Sequence, residues 1–109
     1  MPTAYKVLGQ QYPTAATNTT LYTVPASTQT VVSTITVCNQ SATADTVNIA
    51  IRVAGSALSS DEYISFGEPI GGNSMMHITS GITLAATDVI TVYTTNGTCS
   101  FNAFGSEIS

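Results

Sequence analysis

The chain has 109 residues, and Lys plus Arg number 2 while Asp plus Glu number 6, so charged residues make up 7% of it. An ordinary soluble domain has about 25%. Two cations are too few to neutralise a run of phosphates, which excludes nonspecific nucleic-acid binding and a basic membrane-surface helix.

Hydrophobic content of 43% is enough for a buried core, and 19 Thr with 12 Ser occupy polar positions that charges usually take. A net charge of −4 with a mean hydropathy of +0.25 argues against disorder. The start, Met1 to Gly9, has no apolar leader core. No apolar run approaches the ~18 residues of a membrane-crossing helix. The expectation is a protein made and folded in a cytosol, where Cys38 and Cys99 stay reduced as two buried thiols.

Periodicity of two dominates the chain. Tyr5 to Gln10 is the first predicted strand. Residues 11 to 19 lack an apolar face and are predicted as a long loop or an extended arm. Thr20 to Val24 is a short strand stopped by Pro25. In Val31 to Cys38, period two puts Val31, Ser33, Ile35 and Val37 on one face and Thr34 and Thr36 on the other. After the polar connection Asn39 to Asp45, Val47, Ile49, Ile51 and Val53 alternate with Thr46, Asn48, Ala50 and Arg52. These two segments are expected to pair as a hairpin.

Ser56 to Glu62 is at most a helical turn. Tyr63 to Phe66, Met75 to Thr79, Asp88 to Thr94 and Thr98 to Phe104 complete the set, with Asn96-Gly97 as a two-residue turn before the last strand. The prediction is one all-β domain over 1–109, a single antiparallel β-sandwich, jelly-roll-like, of about eight strands, with 1–19 partly an N-terminal arm or loop.

Candidate chemistry is sparse. The one histidine, His77, can be drawn on paper with Ser74 and Asp88, but no nucleophile elbow accompanies them. Asp61-Glu62 is the one adjacent acidic pair and lacks further carboxylates at calcium-binding spacing. Neither cysteine has a metal-binding neighbour. No catalytic residue, metal or cofactor is expected. The aromatic residues are assigned to core and interface packing.

Two stretches carry a resemblance. The first is Thr19-Thr20-Leu21-Tyr22-Thr23-Val24-Pro25-Ala26, leading into Val31 to Val37 and Cys38-Asn39-Gln40-Ser41. The second is Gly81-Ile82-Thr83-Leu84-Ala85-Ala86-Thr87-Asp88, followed by a strand to Tyr93 and closed by Ser100-Phe101-Asn102-Ala103-Phe104-Gly105. Together they resemble small β-sandwich virion structural proteins of tailed phages, especially cyanobacterial phages, of the capsid decoration or cement type. The resemblance implies a non-enzymatic protein on the capsid exterior, or alternatively a tail, baseplate or fibre module touching host glycans. It implies as partners the major capsid protein and copies of itself, a homotrimer being favoured near a three-fold axis and a dimer being compatible. It implies no nucleic acid and no membrane. Tyr5, Tyr12, Pro13 and Ile108 are the expected interface residues, drawn from the arm and the tail.

Overall fold

The structure is a computed structural model that describes residues 3–79 and 81–109; residues 1 and 2 of the expected arm lie outside it. Among the described residues nine strands form in chain order. They are β1 (Thr3–Gln11), β2 (Thr19–Thr23), β3 (Gln29–Asn39), β4 (Asp45–Arg52), β5 (Tyr63–Ile70), β6 (Met75–Ile78), β7 (Ile82–Leu84), β8 (Val89–Thr94) and β9 (Cys99–Ile108). Two 3-10 turns form, Val53–Gly55 and Ser60–Glu62; the second lies within Ser56–Glu62, where a helical turn was expected. The strand beyond the expected eight is β7, whose three residues are too few to show a period.

The strands make two antiparallel sheets, β1-β9-β3-β6 with β7 also on β3, and β2-β8-β4-β5. Most connections cross from one sheet to the other, which is jelly-roll topology. The fold class read from the sequence is therefore the one observed.

The hairpin expected between residues 31–38 and 46–53 does not form. β3 and β4 belong to different sheets and face each other across the core. Each strand needs only to bury one apolar face, and strands in opposite sheets satisfy that as well as paired strands do. Likewise the Asn96-Gly97 turn carries the chain between sheets, and only Gly97 of the two has positive φ (72°).

The core lies between the sheets, with Val32, Ile35, Val37 and Phe101 from one side meeting Val47, Ile49, Ile90 and Val92 from the other. One face assignment is corrected within β3. The pairing with β9 shifts register between Val32 and Thr34, so a bulge changes the parity of the strand. Val32 is buried and Val31 is exposed, the reverse of the strict alternation. Opposite the bulge sits Gly105, where a Cβ would lie 2.1 Å from the Val31 carbonyl oxygen. Gly105 is therefore in close backbone contact with β3.

In β4, Val47 and Ile49 are fully buried, Ile51 is half-buried, and Val53 is exposed beyond the strand end. The first strand expected over Tyr5–Gln10 is observed as Thr3–Gln11 and is laddered to β9, with a register shift between Val7 and Gly9. Gly9 presses against β2, since a Cβ there would sit 2.1 Å from the Leu21 carbonyl oxygen. The loop 12–18 is also fastened: the Ala16 N–H donates to the Thr94 carbonyl at 2.8 Å, and Pro13 is buried.

Candidate functional site

Most of the few charges are committed to holding the fold. At one end of the sandwich Asp45, only 3% exposed, accepts from the backbone N–H of Thr46 (2.7 Å) and Asn96 (3.0 Å) and from the Thr98 hydroxyl (3.0 Å). Beside it Asn39 donates to the carbonyls of Thr43, Ile70 and Gly71, and its Oδ1 accepts from the Ser41 N–H and the Thr98 hydroxyl. The pair ties together the β3–β4, β5–β6 and β8–β9 loops. Burial would raise the Asp45 pKa, but the hydrogen bonds from Asn96, Thr46 and Thr98 together outweigh it and hold the carboxyl below its ordinary value.

At the opposite end Asp88 accepts from the Ala54 and Ala85 N–H groups, both at 2.9 Å, fastening two more loops. The backbone of Thr87-Asp88 exchanges two hydrogen bonds with Val24, just before Pro25. Val24, Asn39, Ser41, Ala85, Thr87 and Asp88, which lie in the stretches quoted for the resemblance, thus take part in fastening the ends of the sandwich.

A polar chain links four strands. Lys6 on β1 pairs with Glu107 on β9 at 2.8 Å, and Glu107 accepts the hydroxyl hydrogen of Tyr22 on β2. The Tyr22 hydrogen being spent there, the Thr30 hydroxyl on β3 donates to the Tyr22 oxygen at 2.8 Å. Burial and then the hydrogen bond to Glu107 push the Tyr22 phenol up to about 12. Lys6 and then Tyr22 hold Glu107 below the ordinary carboxylate value. The second cation, Arg52, donates to the Ser56 and Gly55 carbonyls. Glu62 and Ser59 form a capping box, so the acidic pair 61–62 has a local structural role.

The outer face of the five-stranded sheet is the feature the charge pattern leaves behind. Cross-strand register gives rows Tyr5–Ser106–Val31–Thr83, then Val7–Phe104–Thr34, then Gln10–Asn102–Thr36–His77, then Ser100–Cys38–Met75. No Asp, Glu, Lys or Arg occurs in these rows. Apolar side chains stand out from it: Tyr5 is 84% exposed, Met75 61%, Val7 49%, Val31 38% and Phe104 37%. An uncharged face with apolar groups is inexpensive to desolvate.

Of the four expected interface residues, Tyr5 lies on this face. Tyr12 is 57% exposed in the loop after β1. Ile108 is half-buried beside an open depression of about 400 Å³ that it lines with Gln29, Val31 and Thr83. Pro13 is removed from the set: it is buried and packs within its own domain. Sequence reasoning missed Val7, Val31 and Phe104. On β9 Phe101 and Ala103 point inward, and Phe104 therefore points out. Strict alternation along β9 was the signal that would have found it.

His77 is exposed on β6, whereas Asp88 is spent on loop N–H groups at the start of β8 in the other sheet. Among the described residues no group of three His, Cys, Asp or Glu is placed to hold a metal ion. The expectation of two buried thiols holds for Cys99 only. Cys38 pairs with Ser100 and points outward, while Cys99 opposes Asn39 and points inward, so both remain free thiols. Burial and then the nearby Asp45 carboxylate push the Cys99 thiol up to about 12. Among the described residues no helix is long and apolar enough to cross a membrane.

No family model matches the chain, and no curated protein matches it. Among solved structures it is similar to one described as the structure of infectious bursal disease virus, Gt strain, at 10% identity and a TM-score of 0.49. That alignment covers 96% of this chain and 31% of the other, so the chain spans about a third of its length. A likeness this distant assigns no activity, partner or location.

Proposed function

We propose that this chain is a non-enzymatic structural protein of a virion, a decoration or cement protein that lies on the outer capsid surface and ties major capsid subunits together. The observation that carries this reading is the uncharged, apolar-studded face of the five-stranded sheet, on a molecule whose two cations are held in intramolecular contacts. The sequence resemblance to phage decoration proteins supplies the partner. Such a face would bind by apolar anchors ringed with Thr, Ser and Asn hydrogen bonds. Each contact is modest, and repetition over a symmetric shell multiplies it, because a copy touching several subunits makes its later contacts intramolecular. Binding without ion pairs should also change little with salt.

A tail or fibre module touching glycans is the second reading. It is favoured by one observation on the other sheet: Tyr63 and the 72%-exposed Phe66 form an edge-to-face pair at 4.8 Å beside Ser60. Cryo-microscopy of purified virions separates the two. Density for this chain on capsid faces supports cement, and density on the tail refutes it. A glycan array gives a second readout, since binding that depends on Phe66 would favour the tail reading.

A further inference from the structure

Among the described residues five strands border the two sheets, and four of them are poor templates for adding another chain. β6 and β7 are four and three residues long and share one side of β3. β2 has five residues with a register shift, and β5 carries Pro69 and two register shifts. Short length, proline and bulges are the usual devices that protect a sheet edge. β1 differs. It has nine residues, among the described residues it pairs with β9 alone, and its Thr3–Val7 half is regular and exposed on both faces. Its register shift comes later, between Val7 and Gly9, and the close approach to Leu21 follows there.

The remaining protective device is a lysine on the edge, and here it is engaged elsewhere. Lys6 is the one charged residue of β1, and its ammonium is drawn to Glu107 on the neighbouring strand, within the same molecule. The Thr3–Val7 edge is therefore left without a charge aimed at an approaching strand.

We propose that two copies of this chain pair antiparallel along Thr3–Val7, forming a two-fold dimer with one continuous sheet. Charge selects the register. A two-fold axis at Lys6 would set one lysine against the other, whereas an axis at Tyr5 sets Lys6 opposite Ala4 and Thr3 opposite Val7. It also sets the two Tyr5 side chains opposite each other, on the uncharged outer face, as a cross-strand aromatic pair. An isologous contact of this kind closes at two copies and uses up the edge. The pairing would also join the outer faces of two copies into one neutral surface. It follows from the edge itself and is independent of any role on a shell.

The test is the mass of the whole chain in solution, by light scattering on a sizing column and by sedimentation velocity over a range of concentrations. The expected mass is twice 11.3 kDa. Tyr5→Lys changes a side chain that is 84% exposed, so the fold should survive, as thermal melting will report. Like charges at the axis should weaken the dimer by at least about tenfold. Met75→Lys, on the same face but at the far edge, should leave the dimer intact. In a Cys38→Ser background, Tyr5→Cys should be linked between copies by a short bifunctional thiol reagent. A monomer at every concentration, a trimer, or a dimer that survives Tyr5→Lys overturns the proposal. Loss of the dimer in Met75→Lys overturns it too, because the contact would then be face to face. A monomer that still binds capsids would sink the dimer and leave the cement reading standing; a dimer absent from capsids would do the reverse.

Discussion

Replacing Asp45 tests the claim that buried polar clamps hold the sandwich ends. Asp45→Ala removes the acceptor of two backbone N–H groups and the Thr98 hydroxyl, in a place where the residue is only 3% exposed. Leaving a buried donor unpaired costs about 1–3 kcal/mol, and hydrogen bonds to a charged group lie toward the upper end. Water entering the vacated space offsets part of this, so the expected loss is about 3 kcal/mol. Asp45→Asn keeps the Oδ1 acceptor. Its amide would donate to the Thr98 oxygen, which at present has one hydrogen for two acceptors, Asn39 and Asp45. A loss of about 1 kcal/mol is expected for the Asn variant.

The pH dependence supplies an independent check. The folded pKa of Asp45 lies below its ordinary value of 3.8. Its contribution is therefore fully present above that value and disappears as pH falls through the folded pKa. Asp45→Asn should flatten the acid limb of stability, leaving the part that comes from Glu107, whose pKa is also lowered. Urea unfolding at pH 7 and pH 3, followed by tyrosine fluorescence or far-UV circular dichroism, measures both quantities. Equal losses for Asn and Ala, or an unchanged acid limb in Asp45→Asn, would refute the hydrogen-bond account of this clamp.

Two further outcomes follow from burial. Ile49→Ala, at a site with no exposed surface, should cost about 2–5 kcal/mol in urea unfolding, whereas Ile51→Ala at the half-buried strand end should cost less; a reversed order would place the core on the wrong residues. An aromatic disulfide reagent should modify one thiol in the native protein, Cys38, and two after unfolding, because Cys99 is buried and its thiol is held at about 12; rapid native labelling of both would contradict this burial.

The all-β class, most strand positions and the types of residue that are buried can be read from local pattern. Val47 and Ile49, Ile90 and Val92, Ile35 and Val37 all point inward as period two requires. Period two is a local record of burial, set by the pleat, and it is written in neighbouring residues. Partner choice is not written there. Whether β3 pairs with β4 or faces it across the core depends on loops that cross the sandwich ends, and those crossings are held by Asn39, Asp45 and Asp88 acting at long range. The same holds for the uncharged face. The low charge is plain in the composition, but where the charges go depends on long-range packing: Lys6 to Glu107, Arg52 to loop carbonyls, Asp45 and Asp88 to N–H groups far along the chain. A bulge opposite Gly105 then turned Val31 outward beside Tyr5 and Phe104. A single inserted residue reverses the parity of a strand, and no local pattern reports it until the partner strand is known.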